Sequence, residues 1–168
     1  FILLDAEKEG NQNINTVCYN QYEQAYITGY IAGLMTKSNK LALIAAQEYP
    51  VMNNVLLPYF EKGAKDANSA TTVDFRIVGN WYDATKGAEL TDAVIKNGVD
   101  VILPICGGAA TGVISSAKNN GAKITWFDDS GFSRAPDTIV SSTTNAQDKM
   151  AYEKTIEYLN NQTPWGTH

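Results

Sequence analysis

The chain has 168 residues, of which 13 are basic and 18 acidic, so its formal net charge is −5. Hydrophobic residues make up 44% of the chain and charged residues 18%, a composition typical of globular domains and too apolar for a disordered segment. The acidic balance argues against a basic surface that would bind nucleic acid or anionic lipid. Because no stretch approaches roughly 18 consecutive apolar residues, the sequence predicts no membrane-spanning helix.

The two ends of the chain resemble interruptions of a longer sequence. A predicted strand begins directly at Phe1, and the chain stops at His168 soon after a predicted helix. We therefore expect a fragment. The two cysteines, Cys18 and Cys106, are too far apart for a metal or redox motif, and we expect two buried thiols, with a disulfide as the alternative.

Two predicted strands and a helix open the chain. The strands cover residues 1–6 and 15–19, and the helix covers 21–37. The apolar stripe of this helix contains mainly Ala and Gly, so we expect it to pack very close to a neighbour.

Strands alternate with helices from residue 38 onward. The predicted strands are 41–46, 72–78, 99–105, 123–127 and 138–142, and the predicted helices are 51–68, 84–97, 112–119 and about 145–160. Pro58 lies inside the helical pattern of 51–68, which predicts a late start or a kink. The alternation indicates βαβ units with right-handed crossovers, and so a doubly wound parallel sheet of the α/β class.

Polar and aromatic residues follow the predicted strands. Open parallel sheets bind ligands beyond the carboxyl ends of their strands, where the strand order reverses. The candidate ligand-binding residues are Tyr49, Trp81, Cys106, Gly107, Gly108, Asp128 and, on the first helix, Glu23. Such a set suits a flat ring ligand held by a carboxylate and hydroxyl groups.

Several of these residues have a second interpretation. Asp128 accepts ligand hydroxyls or only caps a loop, and Trp81 contacts a ligand or only packs. Glu23 contacts a ligand or complements the helix dipole. We place Trp126 on a strand, outside the site.

Catalysis, metal and cofactor binding are not expected. Cys106 lies on a strand-to-helix turn, as in a nucleophile elbow, but the only histidine is His168, which leaves no evident base. The glycine-rich segment 107–112 lacks the Lys-Ser/Thr of a phosphate loop. Asp128-Asp129 has no further carboxylate or histidine at metal-ligand spacing.

Motifs in five segments together resemble one known family. They are residues 19–37 with Glu23 and Gly29, residues 78–87 with Trp81, Asp83 and Gly87, residues 98–102 with Asp100, residues 107–118 with their glycines, and residues 141–152 with Asp148 and Tyr152. The combination is similar to the basic membrane lipoprotein family, the purine nucleoside receptor-like substrate-binding proteins of bacterial ABC transporters.

The resemblance implies a type I periplasmic-binding-protein fold, in which two lobes close on a ligand. Residues 1–37 would be the remnant of the first lobe, 38–145 the second ligand-binding lobe, and 146–168 the return helix and hinge tail. The ligand would be a purine nucleoside or base, and the partner a transporter permease. The protein would be extracytoplasmic, periplasmic or on the cell surface, and attached to the membrane through an N-terminal lipid anchor that this chain does not contain.

Two departures from the family pattern concern the ligand. The family's Asp-Ser-Asp is Asp128-Asp-Ser130 here, and Asn145 stands where the resemblance leads us to expect a lysine. The resemblance also implies that this chain alone binds ligand poorly. Residues 1–37 would have lost their neighbours of the first lobe, and would either pack back on the second lobe or exchange with another copy of the chain. The alternatives are a flavodoxin-like cysteine-dependent enzyme using Cys106 and a ligand sensor on the same fold.

Overall fold

The computed structural model describes residues 1–5, 8 and 10–166. In chain order its strands are β1 (Ile2–Leu4), β2 (Asn15–Val17), β3 (Lys40–Ala45), β4 (Thr72–Ile77), β5 (Val101–Ile105), β6 (Lys123–Asp128) and β7 (Ile139–Thr144). Its α-helices are α1 (Gln21–Met35), α2 (Leu57–Ala67), α3 (Ala84–Lys96), α4 (Ala110–Asn120) and α5 (Gln147–Leu159).

The chain divides into two compact units. The smaller unit contains Phe1–Asn20 and the segment from Asn145 onward. In it β1 and β2 pair in parallel, with Ile2 opposite Asn15, and α5 follows. The larger unit is Gln21–Thr144.

A parallel sheet forms the centre of the larger unit. Among the described residues its strand order is β4-β3-β5-β6-β7, and every neighbouring pair is parallel. The chain moves from β3 outward to β4 and then crosses to β5 on the other side of β3. The strand order therefore reverses between β3 and β5, and the predicted doubly wound α/β fold is confirmed.

Helices cover both faces of this sheet. On one face α1 and α2 pack on Leu41, Leu43 and Leu103, while on the other α3 and α4 pack on Ile44 and Ile102. Burial on both faces explains why β3 and β5 are nearly continuous apolar runs. Because helices cover both faces, the ends of the strands are the place where polar residues can contact a ligand.

Close packing of α1 places this helix in the larger unit. A Cβ on Gly29 would lie 2.0 Å from the carbonyl oxygen of Phe60, and a Cβ on Gly63 would lie 2.0 Å from that of Tyr26. The close approach that the small-residue stripe predicts is thus present. The neighbour is α2, within residues 38–145, so α1 has the first of the two arrangements expected for this segment.

The boundaries between the compact units differ from the predicted lobe boundaries. We expected a division after residue 37, whereas the larger unit begins at Gln21 and ends at Thr144. The physical reason is that α1 packs against α2 and the sheet. The segment of 21–37 therefore belongs with 38–144.

Helix boundaries follow the local signals with small shifts. A π-helical turn over Met52–Leu56 precedes α2, which has Pro58 in its first turn, so the irregularity predicted at this proline is present. A 3₁₀ turn over Gly107–Ala109 leads directly into α4, which therefore begins earlier than predicted. The strand predicted from residue 99 begins at Val101, after Gly98 with φ +92°.

Asp100 connects the end of α1 to the start of β5. Its carboxylate accepts hydrogen bonds from the backbone N–H groups of Lys37 (2.7 Å) and Ser38 (2.9 Å) and from the hydroxyl of Thr36. Burial alone would raise the pKa of Asp100, but these hydrogen bonds outweigh it and lower the pKa below its usual value. Asp100 belongs to the Gly-Val-Asp segment that resembles a family motif, and it therefore has a structural role.

Replacing Asp100 by asparagine tests this role. We expect the free energy of unfolding at pH 7 to fall by about 1 kcal/mol, a modest value because the half-buried carboxylate is screened by water. The folded-state pKa of Asp100 is depressed, so its stabilisation is complete above the unfolded-state pKa of about 4 and is lost as the pH falls through the folded-state pKa.

Urea unfolding of the chain and of Asp100→Asn at several pH values measures this effect. The difference between their unfolding free energies should stay constant from about pH 7 to 5 and shrink below about pH 4. The control is Asp137→Asn, because Asp137 is exposed. A difference that persists undiminished in acid would contradict a role for the ionised carboxylate.

Candidate functional site

A cavity of about 230 Å³ lies at the carboxyl ends of β5 and β6. The residues with polar or aromatic groups in its wall, together with the glycine of the turn, are Trp81, Cys106, Gly107, Trp126, Phe127, Asp128 and Asp129. Two larger depressions, of about 430 and 390 Å³, lie between α3 and α4 and at the amino ends of β3 and β4. We place the candidate site in the smaller cavity because parallel sheets bind ligands at their carboxyl ends.

The structure brings together most of the residues predicted from the sequence. Trp81, Cys106, Gly107 and Asp128 line the cavity. Two further predicted residues adjoin Trp81: the ring of Tyr49 packs on the Trp81 ring with centroids 6.4 Å apart, and Gly108 lies next to Trp81 and Tyr82. Glu23 is exposed in the first turn of α1 and is not in the cavity wall.

The turn after β5 fixes the position of Trp81. The carbonyl oxygen of Trp81 accepts a hydrogen bond from the backbone N–H of Ala109 (3.1 Å). Gly107 has φ +56°, and a Cβ there would lie 3.2 Å from Cε3 of the Trp81 ring. Both the positive φ and the close ring favour glycine at this position. The indole, 36% exposed, therefore lies directly over the turn and presents part of its surface at the cavity.

Asp128 ends β6 in the left-handed region, with φ +74°. Its Oδ1 accepts a hydrogen bond from Nε2 of Gln24 on α1 (3.3 Å), and the same amide donates to the carbonyl oxygen of Thr143 (3.3 Å). Gln24 is only 8% exposed. This contact orients the carboxylate at the cavity wall. Gln24 is not among the residues predicted from the sequence, because nothing in the local pattern of α1 distinguishes it.

Asp129 makes different contacts from Asp128. Its carboxylate accepts a hydrogen bond from the Trp126 indole N–H and pairs with the Arg134 guanidinium at 2.7 Å. These hydrogen bonds, with the indole contributing most, lower the pKa of Asp129 below its usual value. Arg134 also lies over the Trp126 ring, 5.1 Å from its centroid.

The loop after β6 closes over Trp126. A Cβ on Gly131 would lie 2.4 Å from Cγ of the Trp126 ring, so the loop backbone contacts the indole directly. The placement of Trp126 outside the site is therefore wrong, since this residue forms part of the cavity wall. The two neighbouring carboxylates thus differ in role, because Asp129 holds the loop in place whereas Asp128 is oriented at the cavity by Gln24.

Cys106 is buried, with 1% of its surface exposed, and burial raises the pKa of its thiol to about 12. A nucleophilic cysteine needs the opposite, a lowered pKa. His168 lies outside the described residues. The prediction of two buried thiols is wrong for Cys18, which is exposed.

Alkylation distinguishes the two cysteines. With iodoacetamide near pH 8 we expect rapid modification of Cys18 and none of Cys106, because the Cys106 thiol is protonated and inaccessible. In urea both should react. Peptide mass spectrometry measures both sites in one sample, so that Cys18 is the internal control. Selective reaction at Cys106 in the folded chain would contradict this description and restore the enzyme alternative.

No metal site is visible in residues 1–5, 8 and 10–166, where no group of three His, Cys, Asp or Glu side chains is placed to hold an ion. In the same ranges no helix has the length and apolar character needed to cross a membrane. The cavity wall combines indole rings, a glycine turn and the carboxylates of Asp128 and Asp129.

Comparison with known proteins identifies the family. A family model described as ABC transporter substrate-binding protein PnrA-like, or Bmp, matches residues 1–168. The chain belongs to this family. The resemblance found in the sequence motifs is thereby confirmed. Since members are substrate-binding proteins, the prediction that the chain is not an enzyme is confirmed as well.

Two curated relatives show how much of a full-length protein the chain represents. The ABC transporter nucleoside-binding protein BmpA of Lactococcus lactis subsp. cremoris (strain MG1363) is 33% identical over 122 residues, which are 70% of this chain and 33% of the relative. Basic membrane protein D of Borreliella burgdorferi (strain JD1) is 29% identical over 150 residues, 88% of this chain and 44% of the relative. The chain thus spans between a third and a half of these relatives.

Solved structures share the fold. A transcriptional activator of the comK gene from Bacillus halodurans superposes with a TM-score of 0.86 at 26% identity, covering 100% of this chain and 57% of that one. An ABC transporter solute-binding protein from Aeropyrum pernix K1 gives a TM-score of 0.85 at 20% identity, covering 99% and 50%. The chain therefore has the periplasmic-binding-protein-like fold that the resemblance implied.

Proposed function

We propose that the chain forms part of the solute-binding component of an ABC transporter. We further propose that the residues lining its cavity form one wall of a purine nucleoside site. The family and the name of the Lactococcus relative support this proposal. The observation that carries it is the joint presence of the Asp128 carboxylate and the Trp81 indole in one cavity. A carboxylate accepts hydrogen bonds from ribose hydroxyls, and an indole surface packs on a purine ring.

The size of the cavity supports a site with a second wall. Ligand pockets usually have volumes of about 300–1,000 Å³, whereas this cavity has about 230 Å³. We propose that the larger unit, 21–144, is the second ligand-binding lobe of a two-lobe receptor. Closure of a full first lobe would bury the ligand's other face. We therefore expect the 168-residue chain to bind a nucleoside more weakly than a full-length protein.

Partner and location are part of the same proposal. A solute-binding component delivers its ligand to the membrane-spanning permease of its transporter. We propose that the protein acts outside the cytoplasm, in the periplasm or on the cell surface, and that a lipid anchor attaches it to the membrane. The alternative is a ligand sensor, since the structure from Bacillus halodurans is described as a transcriptional activator. A binding assay with the permease separates the two roles.

A ligand panel tests the nucleoside proposal. Calorimetric titrations would compare inosine, guanosine and adenosine with hypoxanthine, cytidine and ribose. We expect the purine nucleosides to bind tighter than either of their halves, because Trp81 and Asp128 contact different parts of the ligand. Equal affinities for inosine and ribose would indicate a sugar-binding protein, and no binding by any purine would contradict the proposal.

A further inference from the structure

Strand β4 lies at an edge of the sheet in the larger unit. It pairs with β3 along all six of its residues, from Thr72 to Ile77, and no strand in the described part of the chain lies on its other side. Its sequence, Thr-Val-Asp-Phe-Arg-Ile, contains no proline or lysine, which are residues that often protect sheet edges, and its two charged residues, Asp74 and Arg76, pair with each other. The residues from 73 to 77 are all partly exposed.

The backbone direction in β4 follows from its hydrogen bonds to β3. The N–H groups of Thr72 and Val78 donate to the carbonyl oxygens of Asn39 and Ala45, each at 2.9 Å. Alternate residues of a strand direct their backbone groups to the same side, so residues 72, 74, 76 and 78 bond to β3. The N–H and C=O groups of residues 73, 75 and 77 therefore face outward.

We propose that β4 is a self-complementary docking edge, which pairs antiparallel with β4 of a second copy of the chain about a two-fold axis through Phe75. In this register Phe75 lies opposite Phe75, and Val73 opposite Ile77. These are the residues whose backbone groups face outward. Each of the three residue pairs exchanges two hydrogen bonds, as hydrogen-bonded pairs of antiparallel strands do, so every outward group is satisfied.

The charges of β4 are complementary in the same register. Asp74 of one copy lies opposite Arg76 of the other, at a non-hydrogen-bonded position, where opposing side chains are closest. Within one copy Arg76 Nε lies 2.7 Å from Asp74 Oδ1, and the two side chains are 42% and 29% exposed. The pairing would convert two exposed ion pairs into a ring of four alternating charges.

The apolar side chains of β4 also match. Val73, Phe75 and Ile77 share one face and pack on the core cluster beneath α2, next to Leu41 and Leu43 of β3. In the paired sheet this apolar row would continue into the identical row of the second copy. Shifting the register by one residue would place outward backbone groups opposite groups already bonded to β3, and would remove the charge match. The symmetric register is the one that satisfies all three features.

A charge swap tests the proposal. Sedimentation equilibrium would measure self-association of the chain and of the single variants Asp74→Arg and Arg76→Asp. Each single variant places like charges opposite each other, so we expect its dimer dissociation constant to rise about tenfold or more. A mixture of the two single variants restores opposite charges across the edge, as does the double variant Asp74→Arg/Arg76→Asp. Both should associate like the original chain.

A backbone variant provides an independent measurement. Val73→Pro removes an N–H that faces outward and leaves the bonds to β3 intact, so the folded chain should persist while association weakens. Circular dichroism and thermal unfolding check the fold of every variant. A chain that stays monomeric at high concentration, or a dimer that neither the charge swaps nor Val73→Pro affects, would overturn the proposal. Nucleoside binding does not enter these measurements, so their result is independent of the proposed function.

Discussion

Replacing Asp128 by asparagine is expected to weaken inosine binding at least about tenfold. A carboxylate forms charge-assisted hydrogen bonds with ribose hydroxyls, and losing its charge should cost about 1.5–3 kcal/mol. Tenfold in affinity corresponds to about 1.4 kcal/mol. Asparagine is the appropriate substitution because Asp128 has φ +74°, a conformation that asparagine tolerates and alanine does not.

The matched control is Asp137→Asn. Asp137 also has a positive φ, +66°, but it is exposed and is not in the cavity wall. Calorimetry with inosine should give the original affinity for this control. If Asp128→Asn binds as tightly as Asp137→Asn, the carboxylate of Asp128 only caps its loop, which is the alternative interpretation from the sequence.

Replacing Gly29 by alanine is expected to lower the free energy of unfolding by about 2–3 kcal/mol. The new Cβ would lie 2.0 Å from the carbonyl oxygen of Phe60, which is backbone and cannot rotate away. The helices α1 and α2 must therefore separate and lose core contacts. This loss opposes the gain of about 1 kcal/mol that alanine gives over glycine inside a helix.

Gly121→Ala is the control for this substitution. Gly121 has φ +74° at the end of α4, and a Cβ added there would have no neighbouring atom within 4 Å, so this variant adds only backbone strain of about 1–2 kcal/mol. Urea unfolding of both variants should show the larger loss for Gly29→Ala. An increase in stability for Gly29→Ala would show that α1 and α2 do not cross at this distance.

The order of strands and helices follows from the sequence because each element has a local signal. Asn97-Gly98 and Asn120-Gly121 stop helices, and the apolar run in β3 predicts a strand covered on both faces. The neighbour of α1 could not be predicted in the same way. Small residues show that something approaches closely, but they do not identify the element that approaches.

The candidate site is predictable only in part, for a similar reason. Residues at the carboxyl ends of parallel strands meet at one edge, so Trp81, Cys106 and Asp128 can be proposed from their positions alone. Gln24 is 104 residues from Asp128 in sequence, and only the packing of α1 on the sheet brings them together. Trp126 lies inside a strand pattern, and its position in the cavity wall depends on the loop that Asp129 and Arg134 hold.

The most direct test of the ligand site is a titration of the ¹⁵N-labelled chain with inosine, followed through the indole N–H signals of Trp81 and Trp126. Both indoles belong to the cavity wall. Trp81→Phe and Trp126→Phe assign the two signals. We predict that both signals shift with the same dissociation constant, and that Asp128→Asn raises this constant while Asp137→Asn does not. Binding of inosine that leaves both indole signals in place would contradict it.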